Sequence, residues 1–242
     1  MAVGFRMPHF YAFAASPYVP QGAVGHPPKS WVEDFNLKNV PNKAILPVIQ
    51  LDRQAVKAIC QNPNYPVLFG YVCVMAWGLQ LKYNAKSVWK SRIAIAKKLT
   101  SLRSDKLDRA TAYNLFCGEN AVNGLGPAYF TKLLYFFRPT PDFYIMDQWT
   151  GKSVNLLIKK PIVKMSSGKN KIVANTNTGE DYQKFCEVVD SLAWQLGNTG
   201  EQIEERLFSR AGRPPAQWRE YVNKHFPRNH KEGNRVAVRR GE

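Results

Sequence analysis

The sequence predicts a mainly α-helical protein carrying one small β-hairpin. Three observations lead there. Apolar residues recur at helical spacing in SVWKSRIAIAKKLTSLR (87–103), at positions 88, 89, 93, 95, 96 and 99. Helix signals punctuate the second half, with Asp147 and Thr199 at starts and Gly118 and Gly197 at ends. Two short β-prone runs flank SSGKN within 161–177, the pattern of a hairpin.

In chain order, residues 1–45 are rich in Pro, Gly and aromatics and read as an irregular arm packed on the body. DRQAVKAICQ (52–61) predicts a helix that NPNYP ends, and a second helix covers 66–82. Its apolar run LFGYVCVMAWGL falls short of the roughly 20 residues a membrane span needs. It reads as a buried helix, with Trp77 structural. The helix 87–103 has a basic outer face, and LDRATAYNLFCG (107–118) ends at Gly118. A glycine turn at 123–126 opens a helix at 127–137, RPTPD breaks it, and the next helix starts at Asp147. After the hairpin come DYQKFCEVVDSLAWQLG, then EQIEERLFSR behind Thr199, then PAQWREYVNKHF. The expected division is an arm at 1–45, a helical domain at 46–227 with its hairpin-helix core at 118–157, and a basic mobile tail at 228–242. The helical part is one body or two tightly packed lobes.

Length and a 45% hydrophobic content give a chain able to bury a full core. The start, MAVGFRMPHFYAF, lacks a basic region followed by an aliphatic run, so no signal peptide is expected. Cysteines 60, 73, 117 and 186 form no CxxC pair, which argues against structural zinc or an iron–sulfur cluster. Cys73, Cys117 and Cys186 sit in apolar helical patterns as free core thiols. A reducing, cytoplasmic location fits. Neither metal nor organic cofactor is expected, and the chain reads as a monomer.

Charge says most about partners. The chain carries 34 Lys and Arg against 18 Asp and Glu, a net +16. Nine of the basic residues lie in 82–109 and five lysines in 159–171. Such clusters favour a polyanion by counterion release.

The chemistry concentrates in NGLGPAYFTK (123–132) and IMDQW (145–149). Gly124 and Gly126 allow positive φ and close backbone approach. With Asn123, their turn beside a helix N-terminus suits a phosphate oxygen. On the helix that follows, Tyr129, Phe130, Leu133, Leu134, Phe136 and Phe137 form one apolar face. Ala128, Thr131, Lys132 and Tyr135 lie opposite. Lys132 reads either as a solvated surface lysine or as an amine facing a cleft, where partial burial lowers its pKa. Asp147 reads as a helix N-cap, which also holds a carboxylate ionised, the form a developing positive charge on a sugar requires. Gln148, Trp149, Phe143 and Tyr144 stand near it as pocket or core residues.

These pieces resemble the helix-hairpin-helix (HhH-GPD) DNA glycosylase superfamily. NGLGP, AYFTKLLYFF, RPTPDFY and IMDQWTGKSV carry the likeness. DYQKFCEVVDSLAWQLG, QIEERLFS and WREYV look like its bacterial 8-oxoguanine-glycosylase-like branch, and the likeness spans roughly 50–226. It implies an HhH-GPD-type helical glycosylase fold that flips a base from double-stranded DNA and cleaves its N-glycosidic bond. It casts Asp147 as the family aspartate and Asn123, Gly124 and Gly126 as the phosphate-binding hairpin. Gln148, Trp149, Ala128 and Phe143 become candidates for the base pocket.

The lysine departs from the pattern. Two residues beyond the second hairpin glycine, where the family's lysine is expected, stands Ala128. Lys132 follows one turn later on the same face, about 6 Å away. It is either a relocated Schiff-base nucleophile, or Asp147 works with water alone. The likeness suggests oxidised guanine as substrate, and the small Ala128 suggests room for a bulkier modified base, as in phage DNA. A non-catalytic DNA-binding module is the rival reading. A nuclease is disfavoured by the lack of a carboxylate cluster or His-metal spacing.

The tail adds Arg228, Lys231, Arg235, Arg239 and Arg240. Deleting residues beyond Phe226 is expected to flatten the salt dependence of DNA binding; an unchanged slope would refute a DNA role for the tail.

Overall fold

The computed structural model describes residues 4–80, 82–168, 170–209 and 215–226. Among them run twelve α-helices: α1 (Met7–Ala15), α2 (Pro28–Asp34), α3 (Arg53–Gln61), α4 (Val67–Trp77), α5 (Lys82–Lys90), α6 (Arg92–Ser104), α7 (Arg109–Asn114), α8 (Pro127–Phe137), α9 (Gln148–Leu157), α10 (Gly179–Leu196), α11 (Gly200–Phe208) and α12 (Gln217–His225). The mainly helical class is as the sequence predicts. The tail 228–242 lies outside the described residues. None of the described helices is long and apolar enough to cross a membrane.

α4 and α8 sit at the centre. α4 is apolar on every side, and a helix of that kind has to be buried; residues 69–77 all are. α8 packs against α3, α4, α6 and α7. The Trp77 edge meets Phe136 at 5.0 Å, and Phe116 stacks on Phe130 at 5.4 Å. The two-faced expectation for α8 fails here, because Thr131, Lys132 and Tyr135 are buried too. Thr131 tolerates this by bonding within the protein. Its hydroxyl donates to Pro127 O at 2.7 Å and accepts from Met146 N–H at 3.0 Å. That second bond ties the strand-like approach to Asp147 onto the side of α8.

Three other expectations are corrected. The arm is not irregular, since α1 and α2 form within it. Phe13 packs edge-on to Trp218 at 5.0 Å, and Arg206 caps the end of α1 by donating to the carbonyls of Phe13 and Ser16, each at 2.9 Å. The single helix at 87–103 is two, α5 and α6, divided at Ser91. The hairpin is reduced to one antiparallel bridge, Met165 to Val173. Ser166 N–H to Ile172 O (2.7 Å) and Ala174 N–H to Lys164 O (2.9 Å) flank it. Beyond these the segment needs no ladder, because two buried asparagines satisfy its backbone. Asn155 accepts from Ile162 and Val163 N–H, and Asn177 bridges the Lys164 N–H and C=O.

The end of α4 is unusual. Gln80 N–H bonds Met75 O and Leu79 N–H bonds Ala76 O, which closes the helix with Leu79 in the left-handed position, φ +56°. Glycine is the residue favoured there, and a leucine costs about 1–2 kcal/mol. The glycine stands one residue earlier, at Gly78 with φ −80°.

α11 is fastened to α3 by a buried ion pair. The Arg53 guanidinium grips the Glu204 carboxylate, with Nη2–Oε1 at 3.4 Å, and stacks over the rings of Trp77 and Tyr135. Burial pushes the Glu204 carboxyl from 4.5 up to about 6 even with Arg53 beside it. A carboxyl raised in the folded state adds stability at low pH and loses it as pH rises through 6. Arg53→Met removes the guanidinium that grips this carboxylate. Chemical unfolding should show a loss of about 3–5 kcal/mol at pH 8. The loss should shrink at pH 5, where Glu204 takes up a proton; equal losses at both values would contradict the buried-pair account.

Candidate active-site cleft

The described residues enclose a cleft of about 1640 Å³. One wall is the turn that opens α8. Leu125 N–H bonds Val122 O at 2.9 Å, and Gly124 takes φ +85°, which a side chain rarely adopts. Gly126 has an ordinary φ of −75°, so only the first of the two glycines is needed for backbone conformation. At Gly126 a Cβ would lie 3.0 Å from the end of the Asn175 side chain, a tight contact that the asparagine would have to ease. Asn123 is exposed at the turn and also lines the cleft. Pro127 begins α8 without a donor, and the amides of Tyr129 and Phe130 fold back on Gly126 O. Gly126, Pro127, Ala128 and Tyr129 line the cleft, so the positive N-terminal end of α8 borders it.

Asp147 enters from the other side as the N-cap of α9. Its Oδ1 accepts from Trp149 N–H at 2.7 Å and Thr150 N–H at 3.0 Å. Thr150 answers by accepting from Asp147 N–H at 2.9 Å, completing a capping box. The carboxylate is 8% exposed, and it is the one carboxylate among the described cleft-lining residues.

Lys132 lies on the same cleft. It is also 8% exposed, so it is a cleft amine and not a surface lysine. Its Nζ donates to Ala128 O at 2.5 Å and lies 5.5 Å from the Tyr129 ring centre. Burial lowers its pKa below 10.5; the charges of Asp147 and Glu204 oppose that shift, and Arg53 adds to it. The result is an amine closer to its free-base form than an exposed lysine, within the field of an anchored carboxylate.

The four pocket candidates divide. Gln148, Trp149 and Ala128 line the cleft. Trp149 is held by two cations, Arg219 at 4.0 Å and Lys152 at 4.7 Å from its ring centre. Phe143 does not line the cleft; it is 1% exposed in the core, with Arg138 over its ring at 5.1 Å. Tyr144 is likewise core, its backbone amide and carbonyl both bonded by the Tyr182 hydroxyl. Proximity in sequence to Asp147 misled for these two, because the segment before the cap runs extended through the interior. Cys117, read as a core thiol, is half-buried on the cleft wall.

Several wall residues went unread. Gly78 and Asn84 come from the end of α4 and the start of α5, and Ser167, Asn170 and Asn175 from the bridged segment. The run of Lys, Asn and Ser in 164–177 was the available signal, but composition does not say which element it will face. Among the described residues, no group of His, Cys, Asp and Glu is placed to hold a metal ion.

Residues 17–208 match the family described as "Putative 8-oxoguanine DNA glycosylase OGG-like protein". The chain belongs to this family, and the family identifies DNA as what it acts on. No curated protein and no solved structure matches the chain.

The capping geometry separates two substitutions. Asp147→Ala removes both amide bonds and should cost about 1 kcal/mol in thermal unfolding. Asp147→Asn keeps an N-cap acceptor and should unfold within about 0.5 kcal/mol of the parent. Equal losses for the two would show that Asp147 is not held by its amides.

Proposed function

We propose that this chain is a DNA glycosylase that flips a modified nucleotide into the cleft and cuts the base from its sugar, with Lys132 as the nucleophile. The observation that carries the proposal is the pairing of a buried, pKa-lowered lysine with an anchored carboxylate on one cleft. Membership in the 8-oxoguanine glycosylase-like family supports it.

In this mechanism the Asn123–Gly126 turn and the amide end of α8 hold a backbone phosphate. Basic side chains of α5 and α6 add sequence-independent affinity. The target nucleotide rotates out at a cost of a few kcal/mol. As the C1′–N bond breaks, its electron pair leaves with the base, which takes up a proton. Asp147 stabilises the positive charge left on the sugar. The Lys132 Nζ lone pair then bonds to C1′ and the amine releases its proton. Opening of the sugar ring gives an imine between Nζ and C1′. Hydrolysis frees an abasic site; loss of a C2′ proton with breakage of the C3′–O bond nicks the strand instead.

Two substrate classes fit. The family description favours oxidised guanine. The small Ala128, where the family's lysine is expected, favours a bulkier base, such as a modified cytosine of phage DNA. In the second case the enzyme serves defence against invading DNA.

Borohydride trapping on duplexes with 8-oxoguanine, uracil, alkylated purines or glucosylated hydroxymethylcytosine tests the whole reading. The parent should give a covalent band with one base, and Lys132→Ala should give none. Alkali-revealed breaks without a band would assign a monofunctional glycosylase resting on Asp147. Salt-sensitive binding with no breaks on any duplex would make the chain a DNA-binding module and overturn the proposal.

A further inference from the structure

The end of α4 carries a second layer of this site. Gly78 is the helix C-cap, and its φ of −80° and ψ of 3° are open to any residue. The next residue, Leu79, takes the left-handed conformation that glycine favours. The helix end by itself therefore calls for the reverse order, a side chain at 78 and glycine at 79. What Gly78 does meet is Lys132. A Cβ at position 78 would lie 2.8 Å from Lys132 Cδ and 3.2 Å from Cε, with Val74 O at 3.1 Å on its other side. The lysine stem crosses the helix end through the space a side chain would fill, and both residues line the cleft.

We infer that Gly78 is a positioning residue for Lys132: it is glycine so that the lysine stem can pass the end of α4 and hold its amine at the cleft beside Asp147. This rests on the reading of Lys132 as the nucleophile. The carbonyl wall at Val74 leaves a new methyl no room to yield, so the lysine has to move. Three other charges face that amine from the elements around it: Asp147 at the head of α9, Glu204 on α11 and Arg53 on α3. Displacement toward open solvent changes its distance from all three.

The test uses Gly78→Ala, Leu79→Gly and the double variant. The double variant gives the helix end its preferred order, so it should unfold no lower than Gly78→Ala alone. Lysines labelled by reductive ¹³C-methylation report the Lys132 titration with no DNA present. The parent's Lys132 signal should titrate below the ordinary 10.5. Both Gly78→Ala variants should move it toward the ordinary 10.5 and shift the pH profile of borohydride trapping upward in step. Trapping at pH 7 should fall at least tenfold in the double variant relative to Leu79→Gly alone. A folded double variant with unchanged Lys132 titration and unchanged trapping would overturn the inference. If the parent traps no base, the reading of Lys132 as the nucleophile fails. The titration shift still decides whether Gly78 sets the place of the lysine.

Discussion

A lysine amine in a protein interior has to be answered by nearby charge or give up its proton, and that constraint organises the centre of this molecule. Lys132 is 8% exposed on α8, the helix around which α3, α4, α6 and α7 pack. Removing an ammonium from water is costly, and the groups around Lys132 meet that cost only in part. Asp147 and Glu204 favour the charged form; desolvation and Arg53 disfavour it, and desolvation is the largest influence. The balance leaves an amine with an accessible free-base form, which is what a nucleophile needs.

Each surrounding feature keeps that balance in place. Asp147 is fixed by two amides and a threonine hydroxyl, and its approach is fixed by Thr131, one residue before the lysine. Glu204 is fixed by Arg53, whose guanidinium lies against Trp77, the neighbour of Gly78. The arm joins in from the far side, where Glu205 accepts from the Tyr18 hydroxyl at 2.6 Å and so helps seat α11. The site is thus built on helices and caps whose positions are set by packing, and left-handed non-glycine backbone borders it at Leu79 and Lys171.

Much of this is legible in the sequence, and the failures have physical causes. Caps are local chemistry, so Asp147, Thr178 and Thr199 could be placed, or their helices found, from a few residues. The apolar run of α4 could only be buried. On the polar side of α8 a helical wheel sends Thr131 to solvent, whereas its hydroxyl bonds inward; Lys132 takes the second of its two readings, an amine on a cleft. Phe143 was misread because adjacency to Asp147 says nothing about which way an extended chain turns its side chains. The bridged segment lacks strands because Asn155 and Asn177, outside any strand pattern, take over its hydrogen bonds. Gly78 was silent because its reason is a contact with a residue 54 positions away.

The most direct test of the account is to locate the covalent bond itself. The reduced enzyme–DNA adduct would be digested and its sugar remnant mapped by mass spectrometry. The account predicts the remnant on the α8 peptide, at Lys132 Nζ. A remnant on Lys152, on Lys171 or on the N-terminal amine would contradict it, because the buried amine at the heart of the fold would then have no part in the chemistry.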